Sequence, residues 1–476
     1  MNRSYIGGRW VEGGTAVADL NPSDTSDRIG DFAAADAAQT REAIEAARGA
    51  APSWRGSGIH RRAEILDFIG NAILARKETL GTLLSREEGK VRAEGVAEVE
   101  RAGHIFKFFA GEAVRITGAS MDSVRPGVDV EIAREPVGVV GIITPWNFPI
   151  AIPAWKIAPA LAFGNTVVFK PAALVPATAH ALARIIADSG LPAGVFNLVM
   201  GAGGEVGAAI VESPLVDAVT FTGSVETGRG VLVRTAQRQA RVQLEMGGKN
   251  PLVVLDDAEL ETAVDCALNG AFYSTGQRCT ASSRLIVTAG IHDRFVDRLV
   301  ERMQSLVVDH ALKPGTQMGP VVDGSQLEQD LMYIGVGRSE GAEMVTGGVR
   351  LERETEGYYL APTLFTQTHN AMRINREEVF GPIAAVIRVR DYDEALNVAN
   401  DTDFGLSAGI CTTSLKHASH FKRHSAAGMV MVNLPTAGVD YHVPFGGRRG
   451  SSFGPREQGQ AAAQFYTATK TTYVNP

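Results

Sequence analysis

The sequence is poor in two features that would each indicate a class of protein. It has only 3 cysteines in 476 residues, too few for a disulfide framework and typical of a cytoplasmic chain. Positive charge is not in excess either, because 46 Lys and Arg stand against 53 Asp and Glu, a formal net charge of -7. A general nucleic-acid binder needs a positive field. We therefore expect a cytoplasmic protein without a nucleic-acid partner.

A long apolar run free of helix breakers is also missing. Residues 137–155 carry no charge and could in principle span a bilayer, but Pro145, Pro149 and Pro153 interrupt them. The first ten residues lack the apolar run of a signal peptide. We predict a buried strand at 137–143 followed by a proline-rich loop, with no membrane association. We also predict no metal site.

Short β-branched runs alternate with amphipathic stretches along most of the chain. Residues 36–115 are rich in helical patterns, with apolar residues three and four positions apart. The later pattern predicts strands at 164–171, 195–201, 217–223, 250–255 and 283–288, with helices at 177–190, near 258–270 and at 292–306. This rhythm is typical of doubly wound parallel sheets, and the length fits two such α/β units.

Two glycine-rich segments are candidates for binding phosphate. In GAGGEVG (201–207) the third glycine of a dinucleotide fingerprint is misplaced, so a simple strand-to-helix turn is favoured. FTGSVETGRG (221–230) lacks the Lys-Ser/Thr pair of a P-loop. Gly223 and Ser224 would still present backbone N–H groups to a phosphate at a helix N-terminus.

The three cysteines lie in different contexts. Cys266 falls in a helical pattern and Cys411 in a strand pattern, so both are expected to be small buried hydrophobes. Cys279 lies in the polar segment STGQRCTASS before a strand, where Arg278 could favour the thiolate. If Cys279 forms an acyl adduct, a base must activate water to release it. Glu245, at the end of an apolar run, is the candidate, although a carboxylate in that position is usually just solvated.

Seven motifs in a fixed order resemble the aldehyde dehydrogenase family across nearly the whole chain. They are TPWNFP (144–149), VFKPA (168–172), FTGS (221–224), LEMGGKNP (244–251), GQRCTAS (276–282), EEVFGP (377–382) and PFGG (444–447). The resemblance implies an aldehyde dehydrogenase-like fold and the NAD- or NADP-dependent oxidation of an aldehyde to a carboxylic acid. It also implies that Cys279 is the nucleophile, that Glu245 activates water, and that Asn147 holds the oxyanion together with the Cys279 N–H.

The same resemblance assigns two further sets of residues. Those implied at the cofactor are Lys170, Gly223, Ser224, Glu378, Phe380 and Trp146. Phe148, Trp155 and Phe445 are implied as walls of the funnel that admits the aldehyde. One position departs from the NAD-selective members of the family, which carry Glu where this chain has Ala173. Losing that carboxylate removes a repulsion for a 2′-phosphate, so we expect NADP to be tolerated.

Two arginines indicate the substrate. Arg101 and Arg278 occupy places similar to those of anion-binding arginines in relatives that act on anionic aldehydes, and arginine pairs well with a carboxylate. The alternative is that Arg101 is a helix-surface cation and Arg278 only tunes the thiol. Residues 438–459 are similar to the corresponding segment of dehydrogenases of α-ketoglutaric semialdehyde (2,5-dioxopentanoate), which becomes the leading substrate.

Other functions stay open on the sequence alone. They are a broad dehydrogenase for aliphatic or aromatic aldehydes, a succinic semialdehyde dehydrogenase, an inert structural relative, and a thiol hydrolase that pairs Cys279 with His442.

The resemblance also implies a division of the chain. A Rossmann-like cofactor domain would contain residues 1–117 and 137–247, and a catalytic domain residues 248–450. An oligomerisation element would combine 118–136, two β runs around Arg125-Pro126-Gly127, with 451–476. The Thr- and Tyr-rich end at 464–474 is suited to pairing with a neighbour's exposed strand. We therefore expect a homo-oligomer, either a dimer or a tetramer.

Overall fold

The computed structural model describes residues 2–476. Across that range the strands are β1 (Ser4–Ile6), β2 (Arg9–Val11), β3 (Thr15–Asn21), β4 (Asp24–Ala34), β5 (Ala119–Asp122), β6 (Asp129–Pro136), β7 (Val139–Ile143), β8 (Thr166–Lys170), β9 (Phe196–Leu198), β10 (Ala218–Thr222), β11 (Arg241–Glu245), β12 (Pro251–Val254), β13 (Arg284–Thr288), β14 (Glu343–Thr346), β15 (Thr363–Thr368), β16 (Ile383–Val389), β17 (Ser407–Cys411), β18 (Met429–Val432), β19 (Ser452–Phe453) and β20 (Thr467–Val474).

The α-helices of the same range lie mostly between these strands. They are α1 (Ala37–Arg55), α2 (Ile59–Leu74), α3 (Lys77–Glu88), α4 (Arg92–Ala113), α5 (Ala151–Ala162), α6 (Pro176–Ala187), α7 (Ala208–Glu212), α8 (Val225–Gln237), α9 (Leu260–Phe272), α10 (His292–Gln304), α11 (Gly324–Ser339), α12 (Arg373–Arg376), α13 (Tyr392–Asn400), α14 (Leu415–His424) and α15 (Ala463–Tyr466). Between residues 2 and 476, no helix is long and apolar enough to cross a membrane.

The first sheet has eight strands in the order β19-β11-β10-β7-β8-β9-β1-β2. Its central strands β7, β8 and β10 are parallel and buried along their full length. Strands this apolar on both faces need helices on each side, as the sequence predicts. The strand expected from 137 begins two residues later, because Gly138 adopts a φ of 125° that breaks the extended run.

The second sheet has seven strands in the order β14-β15-β16-β13-β12-β17-β18. All of them come from residues 343–432 or from β12 and β13, so the sheet is built from a single stretch of chain. A separate apolar core of α9, α10 and the strands they cover lies under it. Two α/β layers, each with its own sheet and core, confirm the predicted fold class.

A third sheet of three strands, in the order β20-β6-β5, contains the segment predicted as a hairpin. The chain reverses between β5 and β6 at Gly127, whose φ of 77° suits the predicted turn. Strand β20 pairs with β6 of the same chain along eight residues. The hairpin and the C-terminal strand thus lie in one sheet, as expected for the oligomerisation element, and pairing of the free edge of β20 with a neighbouring chain stays a prediction.

The domain boundaries remain a proposal. The sheet pairings change one of them, the assignment of residues 451–476. Strand β19 pairs with β11 in the first sheet, and Phe465 and Tyr466 are buried in the apolar core that packs against that sheet. Only β20 lies in the three-stranded sheet. We therefore propose that residues 451–466 belong with the cofactor domain and that the oligomerisation element at this end is β20.

Candidate active site

The candidate site lies where the parallel strands of the first sheet end. Because the carboxyl ends of parallel strands meet at one edge, the loops after β7, β8, β10 and β11 lie together there. The loop that contains Cys279 comes from the second layer, just before β13. Two cavities open between these loops, one of about 530 Å³ and one of about 780 Å³.

The smaller cavity is a funnel with Cys279 in its wall. The structure brings to this one cavity the predicted nucleophile, both predicted arginines and all three predicted aromatic walls, namely Cys279, Arg101, Arg278, Phe148, Trp155 and Phe445. The Trp155 and Phe445 rings pack with their centroids 5.3 Å apart. The funnel therefore combines apolar walls with the two predicted arginines next to a thiol.

The backbone around Cys279 is held firmly. The Asn250 side chain donates hydrogen bonds to the carbonyls of Cys279 and Ala281, at 2.7 and 3.0 Å. Burial raises the pKa of the Cys279 thiol to about 12, and the negative charges of Glu378 and Glu245 act in the same direction. In the protein without ligands, the thiol is therefore the stable form at neutral pH.

The suggestion that Arg278 favours the thiolate is wrong. Its guanidinium turns away to Glu94, at 2.9 Å, and to the Ser274 hydroxyl, at 2.8 Å. The paired carboxylate cancels the field that a free cation would exert on the neighbouring thiol. Glu94 precedes Arg278 by 184 residues, so local sequence gave no signal of this pairing.

Arg101 has different surroundings. It projects from α4, and its guanidinium carbon lies 5.7 Å from the centroid of the Trp155 ring. Its one hydrogen bond to a side chain goes to Gln458 Oε1, at 3.2 Å. Within residues 2–476, no carboxylate forms an ion pair with it at 4.0 Å or less. Of the two predicted arginines, Arg101 is therefore the one whose charge is available to a ligand.

Asn147 lies beside the nucleophile loop. Its side chain is 3% exposed, and its amide nitrogen donates to the Gln277 carbonyl at 2.9 Å. Gln277 stands two positions before Cys279 in the chain, so the amide is anchored to the loop that presents the thiol. Lys90, which the sequence analysis did not single out, donates to the Asn147 carbonyl at 2.7 Å.

Glu245 ends β11 and does not line the funnel. The Ser452 hydroxyl donates to its carboxylate at 2.5 Å, and the side chain is buried. Burial raises its pKa well above the ordinary value, and the nearby charge of Glu457 adds to the rise. The alternative of a solvated carboxylate is thus wrong, because β19 covers the strand end. Ser452 is a further partner that sequence reasoning missed.

The larger cavity contains several residues predicted at the cofactor. Its walls include Trp146, Lys170, Gly223 and Ser224, and also Gly203, Gly204 and Gly207 of the segment interpreted only as a turn. That segment does form a turn into α7; Gly203 and Gly204 face open space, and a Cβ on Gly207 would lie 3.7 Å from the Lys170 side chain. The run of glycines at 201–207 was the sequence feature that could have predicted a place for this segment in the cavity wall.

The cavity suits a nucleotide on two observations. Ser224 caps α8 by accepting a hydrogen bond from Thr227 N, and the first N–H groups of a 13-residue helix face this end. Lys170 donates to the neighbouring Pro171 carbonyl at 2.8 Å, and burial lowers its pKa to about 8. These donors fit the hydroxyls and phosphates of NAD or NADP, although the Glu226 carboxylate also lies in this wall.

Glu378 and Phe380 line neither of these cavities but a small third pocket beside Gly248 and Arg278. Gly248 N donates to Glu378 Oε1 at 3.0 Å, an approach that needs a glycine next door, because a Cβ on Gly247 would overlap the carboxylate. Burial raises the pKa of Glu378 to about 7. The Phe380 ring packs edge-on to Trp146 with 5.5 Å between centroids. Ala173 is exposed beside Ala172, which lines the larger cavity.

Comparison with known proteins agrees with this arrangement. The sequence profile of the "Aldehyde dehydrogenase family" matches residues 10–472. The alpha-ketoglutaric semialdehyde dehydrogenase of Bacillus subtilis is 42% identical over 99% of this chain and 98% of its own length. The alpha-ketoglutarate semialdehyde dehydrogenase of Haloferax volcanii is 44% identical over the same shares.

Solved structures match equally well. Betaine aldehyde dehydrogenase from Staphylococcus aureus in complex with NAD+ superposes with a TM-score of 0.97 at 34% identity, covering 100% of this chain and 95% of the other. An Escherichia coli structure described as an NADP-dependent enzyme gives a TM-score of 0.96 at 34% identity, covering 99% and 98%. This chain belongs to the aldehyde dehydrogenase family and is an NAD(P)-dependent oxidoreductase that acts on an aldehyde group.

Proposed function

We propose that this enzyme oxidises an anionic aldehyde, with α-ketoglutaric semialdehyde (2,5-dioxopentanoate) as the leading substrate. The observation that carries the proposal is the unpaired charge of Arg101 in the funnel wall. An arginine fork binds a carboxylate with two parallel hydrogen bonds. The names of the Bacillus and Haloferax relatives support the choice of semialdehyde.

The polar groups around Arg101 support an anionic ligand as well. Arg101 Nε, Trp155 Nε1 and Gln458 Nε2 are all donors, and within residues 2–476 none of them has an acceptor. A buried donor without a partner is costly. A carboxylate brings about four acceptor sites and no donors, so it would correct this imbalance after small adjustments of the side chains.

The first chemical steps use Cys279 and Asn147. The Cys279 thiol gives up its proton to water, the resulting thiolate attacks the aldehyde carbon, and the carbonyl oxygen takes up the electron pair of the broken π bond. The Asn147 amide and the Cys279 N–H stabilise this oxyanion by hydrogen bonds. When bound, NAD(P) supplies the nicotinamide ring that accepts a hydride. Loss of that hydride from the adduct carbon leaves a thioester on Cys279.

Hydrolysis of the thioester uses Glu245. Its carboxylate takes a proton from water, the resulting hydroxide adds to the thioester carbon, and the C–S bond breaks to release the carboxylic acid and the thiolate. The raised pKa of Glu245 makes it a better proton acceptor once it is ionised. To reach water in the funnel it must leave Ser452, so we propose that its side chain rotates between the two catalytic stages.

The cofactor roles follow the same proposal. Lys170 and the N-terminus of α8 would hold the adenosine ribose and the phosphates, while Glu378 would grip the nicotinamide ribose with Phe380 beside it. Trp146 would form a wall between the two cavities. Because Ala173 puts no carboxylate near Lys170, we propose that NADP is accepted as well as NAD.

Substrate choice can be tested with a panel and one substitution. We expect kcat/KM to be highest for 2,5-dioxopentanoate, followed by succinic semialdehyde, propanal and benzaldehyde. Arg101→Gln should lower kcat/KM for the two anionic aldehydes by about 10- to 100-fold, the effect of losing a hydrogen bond to a charged group. The values for the two neutral aldehydes should change little.

The matched control is Arg115→Gln, an exposed arginine just beyond the end of α4. It should leave the whole panel unchanged. If neutral aldehydes, or betaine aldehyde, are preferred by the unsubstituted enzyme, the anionic substrate is wrong, and a broad or cationic specificity takes its place.

We propose that the chain forms a homo-oligomer through the three-stranded sheet. Its edge strands β5 and β20 expose Met121, Tyr473 and Val474, and an exposed edge invites pairing. A chain ending at Thr467 keeps Phe465 and Tyr466 in the core and removes only β20. It should elute as a smaller particle than the full chain, and an unchanged elution volume would contradict this interface.

We also propose a cytoplasmic location. The support is chemical, because Cys266, Cys279 and Cys411 are all free thiols, which a reducing compartment preserves. In fractionated cells the activity should follow a cytoplasmic marker enzyme. Recovery with the envelope would contradict this location.

A further inference from the structure

A buried ion pair lies beneath the loop that carries Asn147. Lys90 follows α3 and is 1% exposed. Its ammonium group donates to Glu98 Oε2 and to the Asn147 carbonyl, each at 2.7 Å. It also lies 4.1 Å from the centroid of the Phe148 ring, in the wall of the funnel.

Glu98 connects this ammonium group to the far end of the same loop. It projects from α4, and its other oxygen, Oε1, accepts hydrogen bonds from the N–H groups of Ile150 and Ala151, at 3.1 Å each. These N–H groups belong to the start of α5, where a helix has donors without internal partners and favours negative charge. The pair therefore holds residues 147–151 at both ends.

The consequence falls on the Asn147 side chain. Lys90 fixes the main-chain carbonyl of Asn147, and the side-chain amide nitrogen donates to the main-chain carbonyl of Gln277 in the loop of the nucleophile. With the backbone of Asn147 held by one hydrogen bond and its amide nitrogen by the other, the position of the amide relative to Cys279 is restricted. A catalytic donor must be held to within fractions of an ångström to be effective.

Stability alone does not explain why the pair is there. Removing two charges from water costs several kcal/mol per ion, and apolar residues of similar size often stabilise a core equally well. A third charged group, Glu88, lies 3.9 Å from the ammonium group, and burial raises the pKa of Glu88 to about 8. At neutral pH Glu88 is therefore mostly protonated, and Lys90 and Glu98 balance each other.

We propose that Lys90 and Glu98 are positioning residues, which orient the Asn147 amide toward the oxygen of the aldehyde. The inference rests on the proposed oxyanion role of Asn147. It extends that role to two residues more than 45 positions upstream, neither of which needs to touch the reacting atoms.

The test compares Lys90→Met, Lys90→Arg and Glu98→Gln in the full chain with the cofactor present. The rate of the first hydride transfer, measured as the burst of reduced cofactor, should fall by about 10- to 100-fold in Lys90→Met, part of the 10²–10³ loss known for removing an oxyanion donor. Lys90→Arg, which keeps the donor, should recover most of that loss. KM for NAD should stay within about twofold, because the cofactor site is untouched.

The matched control is Lys107→Met. Lys107 projects from α4 and, like Lys90, pairs with a carboxylate, that of Asp67 at 2.6 Å, but it is half-exposed and outside the funnel. Its burst rate should equal that of the unsubstituted enzyme. A normal burst rate in folded Lys90→Met, or a KM for NAD that rises in step with the loss of rate, would overturn the proposal. If Lys90→Met does not fold, Glu98→Gln provides the same comparison.

A double substitution separates this inference from the role on which it rests. If Lys90 acts through Asn147, the variant Lys90→Met/Asn147→Ala should lose no more burst rate than Asn147→Ala alone. Losses that multiply would overturn the positioning role. A normal burst rate in Asn147→Ala would instead refute the proposed oxyanion role, whatever Lys90→Met does.

Discussion

The funnel at Cys279 and the larger cavity are built from different parts of the chain. The larger one has four glycines in its wall, Gly203, Gly204 and Gly207 after β9 and Gly223 after β10, beside side chains such as Lys170. Backbone N–H groups bind any phosphate in the same way, whatever the rest of the molecule. This cavity is therefore suited to a ligand that every member of a family shares.

The funnel, in contrast, is walled by long side chains whose charges are set by distant partners. Arg278 is neutralised by Glu94, and Arg101 is left without a carboxylate. One substitution in such a wall changes the net charge that an aldehyde meets. On the proposed roles, the cofactor would be recognised by glycine-rich backbone together with Lys170, and the substrate by the ionic side chains of the funnel.

The largest effect is expected from Cys279, because the contrast between the two cavities assumes that the aldehyde reacts in the funnel. Cys279→Ala removes the nucleophile and should lower turnover by more than about 10³-fold, the scale on which the loss of a covalent catalyst acts. Steady-state reduction of NAD is the measurement. Cys266→Ala is the control, since Cys266 is buried in the core of the second layer and should leave turnover intact. Comparable activity in both variants would contradict the assignment.

The second prediction separates the two chemical stages. Glu245→Gln should keep the first burst of reduced cofactor and lower steady turnover by about 10²- to 10⁴-fold, the range for loss of a general base. The Ser452 hydroxyl can still donate to the glutamine carbonyl, so the fold around β11 should be preserved. Rapid-mixing absorbance resolves the burst from the steady rate. Full turnover in the variant would refute the role in hydrolysis.

The third prediction concerns Glu378 and its effect on the pKa of the Cys279 thiol. Without ligands, alkylation of Cys279 by iodoacetamide should rise about tenfold per pH unit from pH 7 to 9, because the thiolate fraction grows tenfold per unit below the pKa. Glu378→Gln removes a negative charge that raises this pKa, so alkylation at pH 8 should become several times faster.

Glu377→Gln serves as the control for this experiment. Glu377 is adjacent in sequence, but its carboxylate is paired with Arg373 at 2.9 Å. Its alkylation rate should match that of the unsubstituted enzyme. Equal rates in all three proteins would mean that Glu378 does not act on the thiol.

The smallest effect is expected in the larger cavity. Ala173→Glu adds a carboxylate near Lys170 and should lower kcat/KM with NADP by about tenfold, the cost of one unfavourable charge near a phosphate, while the value with NAD stays within a few-fold. Ala173→Gln, which has the same shape without the charge, is the control. A thousandfold preference for NAD in the unsubstituted enzyme would contradict NADP tolerance from the start.

Local patterns predicted the parts of the molecule that depend on near neighbours. Apolar runs at β7, β8 and β10 identified the central strands, and the order of the motifs identified the family. The side chains that this resemblance implied at the aldehyde lie in the wall of one funnel. Partners far along the chain could not be predicted. Arg278 was expected to act on Cys279 because the two are adjacent, but Glu94, 184 residues away, takes up its charge. The same holds for Lys90, whose contact with Asn147 spans 57 positions.

The pairing of β19 with β11 has a consequence for synthesis. The second sheet uses only residues 251–432, so it can close while the ribosome is still making the rest of the chain. The first sheet joins β1, at Ser4, to β19, at Ser452. Its first strand is synthesised first, but the edge of β11 stays unpaired until β19 emerges near the end of synthesis. At this stage the chain exposes an open sheet edge that a chaperone could cover.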